Sequence, residues 1–237
     1  ERKLGKGGFG QVYVGRRVTS SGTRGETTGN ANSNQVALKF EHRSSKGCNY
    51  GPPYEWSVYN AFSTLGGILG VPKVHFKGRQ GEYYVMVMDL LGPSLWDTWN
   101  TNGQIMSQEM VACIAVEALA ILEHFHSKGF VHGDIKPENF LFESKEDSAC
   151  LKIIDFGLAL ELTKVDERER SIYLGTPAFM APEIFKERGK ISVYQEPVDI
   201  WACGIIMYSM LAGKLPFANE NQEDLIDSIK NDFVNID

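Results

Sequence analysis

Cysteine is scarce and scattered. Its four copies, Cys48, Cys113, Cys150 and Cys203, form no C-x-x-C pair and have no histidine at zinc-ligand spacing. That argues against a disulfide framework or a zinc-ribbon scaffold and implies free thiols in a reducing compartment. Excess positive charge is lacking too. Its 24 Lys and Arg stand against 30 Asp and Glu, a net −6, which disfavours a chain built to coat nucleic acid or an anionic membrane. No apolar run approaches the ~18 residues of a membrane span, and no signal-peptide pattern opens the chain. The expectation is a soluble intracellular protein, cytoplasmic or nuclear, with no direct nucleic-acid or membrane partner. Its oligomeric state cannot be read. Glu1 already abuts a glycine motif, which implies a longer natural N-terminus.

What is present suffices for a core. The 237 residues are 43% hydrophobic and 23% charged, enough for one large domain or two lobes sharing a cleft. The first third reads as strands: residues 1–5, Gln11–Val18, Gln35–Glu41, Val71–Phe76 and Tyr83–Met88, with a helix at Tyr54–Leu65. In Gln35–Glu41, Val36, Leu38 and Phe40 are expected on the inward face, and Ala37 and Lys39 on the other. Residues 19–34 are polar and rich in Gly, Asn, Ser and Thr, the composition of a flexible hairpin loop. Helical patterning then takes over. Ser107 caps a helix carrying Val111, Ile114, Ala115, Ala118, Leu119, Leu122 and Phe125, stopped by Gly129. Phe140–Phe142 and Leu151–Ile154 read as a small β pair. Val198–Ala212 is apolar nearly all round, a buried helix ended by Gly213. A β-rich lobe at 1–88, a hinge at 89–93 and a helical lobe at 94–237 make an α+β, bilobal architecture.

Several motifs carry chemistry. Gly5-x-Gly7-x-x-Gly10-x-Val12 is a glycine turn whose N–H groups could face phosphate oxygens. Dinucleotide-binding folds share that spacing, and an ordinary glycine hairpin would also produce it. Here Gln11–Val18 continues as a strand, whereas a dinucleotide-binding turn enters a helix. A lone strand lysine such as Lys39 is ordinarily solvated, but Glu55 lies on the next helix and can pair with it. At ~4 Å and an effective dielectric near 20 such a pair is worth about 4 kcal/mol before desolvation. The decisive stretch is His132-Gly-Asp134-Ile-Lys136-Pro-Glu-Asn139, followed by Asp155-Phe156-Gly157. Any one of these acids could be a solvated loop carboxylate. The ordered set fits phosphoryl transfer: Asp134 accepting or orienting a hydroxyl proton, Lys136 at the γ-phosphate, and Asn139 and Asp155 as Mg²⁺ ligands. Ala181-Pro182-Glu183 closes the segment opened by Asp155, and between them Thr176 lies one residue before Pro177. Asp199, at the start of the buried helix, is placed to accept N–H groups of the catalytic loop around His132; the bland alternative is a plain N-cap.

Together these motifs resemble the protein kinase superfamily over essentially the whole chain. The resemblance implies a Ser/Thr kinase acting on protein hydroxyls with ATP and Mg²⁺. It assigns catalysis to Lys39, Glu55, Asp134, Lys136 and Thr176, and metal binding to Asn139 and Asp155. ATP would be held by Leu4, Gly5, Lys6, Gly7, Gly8, Phe9, Gly10, Gln11, Val12, Ala37, Lys39, Met88, Asp89, Leu91 and Leu141. Val12, Ala37 and Leu141 would sandwich the adenine, with Met88 as gatekeeper and Asp89 and Leu91 offering hinge backbone. Tyr59, His132 and Phe156 resemble members of a stacked spine. On this reading Lys39, Asn139 and Asp155 meet around one nucleoside triphosphate.

Within the superfamily, residues 1–142, with KFEHRSSKGCNYGPPYEW and YYVMVMDLLGPSLWD, are similar to casein kinase 1, and closest to its plant-type branch with the HGD form. From Leu151 onward, DFGLAL, GTPAFMAPEIF and DIWACGIIMYSMLAGKLPF are similar to calcium/calmodulin-dependent kinases. Gly133 stands where an arginine usually grips a phosphorylated activation loop. Phosphorylation of Ser171, Tyr173 or Thr176 is therefore not expected to be the main on-switch. Asp237 precedes the last helices that the resemblance implies and the arginine that would pair with Glu183, so a loss of several kcal/mol is expected. A nucleotide-binding pseudokinase or scaffold is the alternative, though no catalytic residue is missing. Tyrosine-specific transfer is disfavoured by Lys136 and by GTPAFMAPE.

Overall fold

The computed structural model describes residues 3–6, 10–17, 35–146, 150–164, 175–186 and 195–234. The predicted loop 19–34, the turn residues Gly7, Gly8 and Phe9, and Ser171 and Tyr173 lie outside the described residues. Backbone contacts divide the chain into two compact units, Glu1–Thr64 with Pro72–Leu91, and Leu65–Val71 with Gly92–Asp237. Residues 65–71, counted with the first lobe from sequence, thus group with the second. The main-chain bond from Ile153 N to Gly70 O, 2.7 Å, is part of the reason.

The first unit is an antiparallel sheet in the order β1-β2-β3-β5-β4 with one helix. Its strands are β1 Lys3–Lys6, β2 Gln11–Arg16, β3 Gln35–His42, β4 Val74–Gln80 and β5 Tyr83–Asp89, and α1 is Tyr54–Thr64. Alternating Val, Tyr and Met side chains suit β2 and β5 to a half-buried pleated surface. Strand β4 begins later than predicted because Pro72, which lacks an N–H, precedes it. The inward face of β3 also differs from expectation. Val36, Ala37 and Glu41 are buried, whereas Leu38 and Phe40 are only half-buried. Helix α1 covers the face bearing Lys39, since Glu55 reaches that lysine, and so the face expected opposite the inward one is the covered one.

The second unit is mainly helical: α2 Leu95–Thr101, α3 Gln108–Ser127, α4 Pro182–Lys186, α5 Glu196–Ala212 and α6 Gln222–Asn231. Two small antiparallel pairs, β6 Phe130–Val131 with β9 Leu160–Glu161, and β7 Phe140–Phe142 with β8 Leu151–Ile153, support the loops between them. Ser107 caps α3 by accepting Met110 N–H at 3.2 Å. Gly213, at φ 71, ends α5 in the left-handed conformation that glycine adopts without penalty. On α3 the buried stripe is Val111, Ile114, Ala118, Ile121, Leu122 and Phe125. Leu119, predicted inward, is 44% exposed.

Among the described residues α3 is long and apolar enough to cross a membrane by length and composition, although Glu117 and Glu123 interrupt its apolar run. In this fold it is a packing helix against α5 and β8, and its Glu117 carboxylate accepts Leu151 N–H at 2.7 Å. All four cysteines are free; Cys48 and Cys203 are buried, Cys113 and Cys150 exposed.

Candidate active site

In the first unit the strands on either side of the glycine motif pair antiparallel. Gly5 pairs with Val12 and Lys6 with Gln11 across β1 and β2, so the chain leaves the turn as a strand and the dinucleotide-binding alternative falls. Gly10 is obligatory: a Cβ there would lie 2.4 Å from Phe40 O on β3. Leu4 and Gln11 are exposed, Val12 and Leu91 half-buried, Ala37 and Met88 buried. The Asp89 carboxylate turns back onto β4, accepting Lys73 N–H at 2.8 Å and lying 2.7 Å from His75 Nε2. Its own amide donates to Lys73 O at 3.0 Å.

Lys39 on β3 and Glu55 in the first turn of α1 form an ion pair, Nζ to Oε2 2.6 Å, with side chains only 11% and 5% exposed. Two charges withdrawn this far from water are tolerable because each offsets the other's desolvation; removing either partner costs about 3–5 kcal/mol. The pair expected from sequence is present.

In the second unit the residues from His132 to Asn139 form a loop fastened at both ends. Ile135 is buried beneath it. Asp134, Lys136 and Thr176 make a closed triangle. Lys136 Nζ donates to Asp134 Oδ2 at 2.6 Å and to Thr176 Oγ1 at 3.2 Å, and the Thr176 hydroxyl donates to Asp134 Oδ1 at 2.8 Å. One carboxylate therefore keeps a fixed orientation between a hydroxyl and an ammonium, the latter 2.6 Å away.

Asn139 donates its amide Nδ2 to Asp134 O at 2.8 Å, which leaves its amide oxygen as the remaining acceptor. That oxygen and the Asp155 carboxylate are hard donors of the kind Mg²⁺ prefers, and a two-residue set suits an ion that keeps waters and phosphate oxygens. Ile154 ties the two together. Its N–H donates to Asn139 O at 3.0 Å, and its carbonyl accepts His132 Nε2–H at 3.0 Å. Asp155 itself sits at φ 67, ψ 70, a strained backbone for a non-glycine residue and of the sort that clusters at functional sites. Phe156 is fully buried, stacked on Phe125 at 5.6 Å and edge-on to His132 at 5.4 Å.

Asp199 is 1% exposed and lies within α5, whose N-cap is Gln195, so the plain N-cap reading is excluded. Its carboxylate accepts His132 N–H at 2.8 Å and Gly133 N–H at 2.9 Å, and a third contact, His126 Nε2 at 2.9 Å, was not foreseen. The signal for His126 was faint: a histidine in the last turn of α3, six residues before His132. Gly133 has φ 75, a conformation that costs an ordinary residue about 1–2 kcal/mol. The buried Glu41 side chain, hydrogen-bonded to Ser45, likewise carries no signal in the sequence. Glu183 makes no ion pair among the described residues.

Comparison with known proteins agrees with this geometry. A model of the protein kinase domain matches residues 1–237. A casein kinase 1-like protein, HD16, of Oryza sativa subsp. japonica is 66% identical over 226 residues, 92% of this chain and 30% of that protein. Calcium/calmodulin-dependent protein kinase type II of Caenorhabditis elegans, and the alpha chain of that kinase in Drosophila melanogaster, are each 35% identical over 161 residues. Those matches cover 68% of this chain and 21% and 29% of the relatives. The chain thus spans less than a third of the length of these relatives. The rice match is too long to stop short of residues 142–152, so a single relative aligns with this chain on both sides of that stretch. The chain belongs to the protein kinase domain family.

Proposed function

We propose that this chain transfers the γ-phosphoryl group of Mg·ATP to serine or threonine hydroxyls of protein substrates. The observation that carries the reading is the Asp134–Lys136–Thr176 triangle, in which a carboxylate, an ammonium and a hydroxyl hold one another at 2.6–3.2 Å. Asp134 orients the acceptor hydroxyl and takes its proton, while Lys136 neutralises charge developing on the transferred group. Lys39, held by Glu55, anchors the α- and β-phosphates under the Leu4–Val12 hairpin. Ala37, Val12 and Leu141 line the adenine, Met88 borders it, and Asp89 and Leu91 supply backbone groups to its edge. Asn139 and Asp155 would hold Mg²⁺, which when bound would neutralise charge on the phosphate oxygens. The segment 161–177 mixes charge signs, and the preference of casein kinase 1 relatives for acidic substrates is not carried over.

The test is incubation of the full-length protein with Mg·ATP and a mixed peptide library, beside Asp134→Asn. Phosphoserine and phosphothreonine should form with the wild type and fall by about 10²–10⁴-fold in the variant, with nucleotide binding retained. Nucleotide binding without turnover by the wild type, or transfer chiefly to tyrosine, would overturn the proposal.

A further inference from the structure

Between Lys39 and Glu55 the chain passes through Arg43–Pro53, a linker closed by its own hydrogen bonds. Cys48 N and Asn49 N both donate to Ser45 O, at 3.1 and 2.9 Å, and Tyr50 N donates to Arg43 O at 2.9 Å. Gly51 N donates to Cys48 O at 2.8 Å, and Tyr54 N, at the start of α1, to Gly47 O at 3.1 Å. The linker is also pinned to the β4–β5 turn, where Arg43 N donates to Glu82 O at 2.9 Å and the Arg43 guanidinium pairs with the Glu82 carboxylate at 2.5 Å. Asn49 and Tyr50 hold φ of 42 and 64, left-handed backbone that persists only where surrounding contacts enforce it.

The side-chain centre of this knot is Glu41. It lies two residues beyond Lys39 on the same face of β3, and it is 4% exposed. Its Oε1 accepts the Ser45 hydroxyl at 2.6 Å, and Ser45 Oγ in turn accepts Cys48 N–H at 3.2 Å. Cys48 is buried beside them, its thiol pushed up to about 11 by burial first and by the Glu41 charge in addition. A buried carboxylate is retained only when its hydrogen bonds are provided, and here the linker's first turn provides one.

We propose that this linker is a built-in brace that presets α1 so that Glu55 meets Lys39, with Glu41 and Ser45 as its positioning residues. Helix α1 then needs no partner protein and no phosphate to bring Glu55 to the lysine. The inference rests on the reading of Lys39–Glu55 as the pair that holds the nucleotide.

Steady-state kinetics of the full-length protein test it, with ATP and peptide varied separately. The variants are Ser45→Asp, which sets a second negative charge against Glu41, Glu41→Leu, and Glu41→Gln, which keeps an acceptor for the Ser45 hydroxyl. Hydrogen exchange of the α1 amides is followed alongside, with Lys39→Met as the check on the underlying reading. Ser45→Asp and Glu41→Leu should lower kcat/KM for ATP by about tenfold to a hundredfold, the size expected for losing a charged hydrogen bond. KM for the peptide should stay within twofold, α1 exchange should quicken, and Glu41→Gln should remain within about threefold of the wild type. A merely structural role would instead lower the melting temperature and leave kcat/KM of the folded enzyme unchanged, and that result, with Lys39→Met inactive, overturns the brace. An active Lys39→Met variant overturns the reading of the ion pair instead; unchanged α1 exchange in Ser45→Asp would then still count against the brace on its own.

Discussion

Thr176 spends its hydroxyl twice, donating to Asp134 and accepting from Lys136. Thr176→Ala removes the bridge without touching either charge. The expected result is a fall in kcat of about tenfold to a hundredfold, since a hydrogen bond to a charged group is worth about 1.5–3 kcal/mol. Thr176→Ser should recover most of it, and KM for ATP should change little in both; equal activity of the Ala and Ser variants would refute the role. The two glycines facing each other beside this triangle are equally constrained. Gly175 has φ 126, and a Cβ on it would lie 2.8 Å from Gly133 O. With glycine at 133 there is no guanidinium there to receive a loop phosphate, and the hydroxyl at 176 is already engaged. Protein treated with phosphatase should therefore keep its activity towards peptides. A drop of tenfold or more on dephosphorylation, restored by rephosphorylating Ser171 or Tyr173, would show that the loop is phosphate-switched after all.

At the scale of elements, α5 holds the His132–Asn139 loop through one buried side chain. Asp199→Ala would leave His132 N–H and Gly133 N–H without their acceptor in a buried setting, a loss of about 3–5 kcal/mol. A urea midpoint within experimental error of the wild type would contradict that role. The same helix shows what the sequence made readable. Val198–Ala212 and the α3 stripe announce themselves because long apolar periods survive local noise, and Gly129 and Gly213 mark where they stop. Glycine, carboxylate and lysine spacing likewise made Lys39, Glu55, Asp134, Asn139 and Asp155 legible as candidates. Helices α2, α4 and α6 went unread because they are short, and single residues decide them. The Ser94–Asp97 capping box that starts α2 was nonetheless visible as S-x-x-D. Burial on β3 was misjudged for a different reason: alternation gives two faces but not which one a helix will cover. Glu41 is the clearest instance, a charged residue whose burial depends on Ser45, contributed by a loop with no periodicity at all.

At the scale of the whole molecule, each unit encloses one thiol that burial keeps protonated: Cys48 in the first and Cys203 in the second, both raised from 9.0 to about 11. For Cys203 the charge of Asp199, one helical turn earlier on α5, adds to burial. Between pH 9 and 11 the unfolded chain gives up these protons while the folded one retains them. The unfolded state then binds fewer protons, and stability must fall as pH rises, by up to about 1.4 kcal/mol per pH unit for each thiol. Below pH 9 both states keep the protons and the contribution is flat. Cys203→Ala deletes one of the two contributions, so the stability advantage of wild type over this variant should be constant from pH 7 to 9 and shrink steadily from 9 to 11. Urea melts at half-unit intervals of pH, read by a probe in the second unit, measure that difference directly. If the advantage stays level across pH 9–11, the Cys203 thiol is not held protonated by burial and the Asp199 charge.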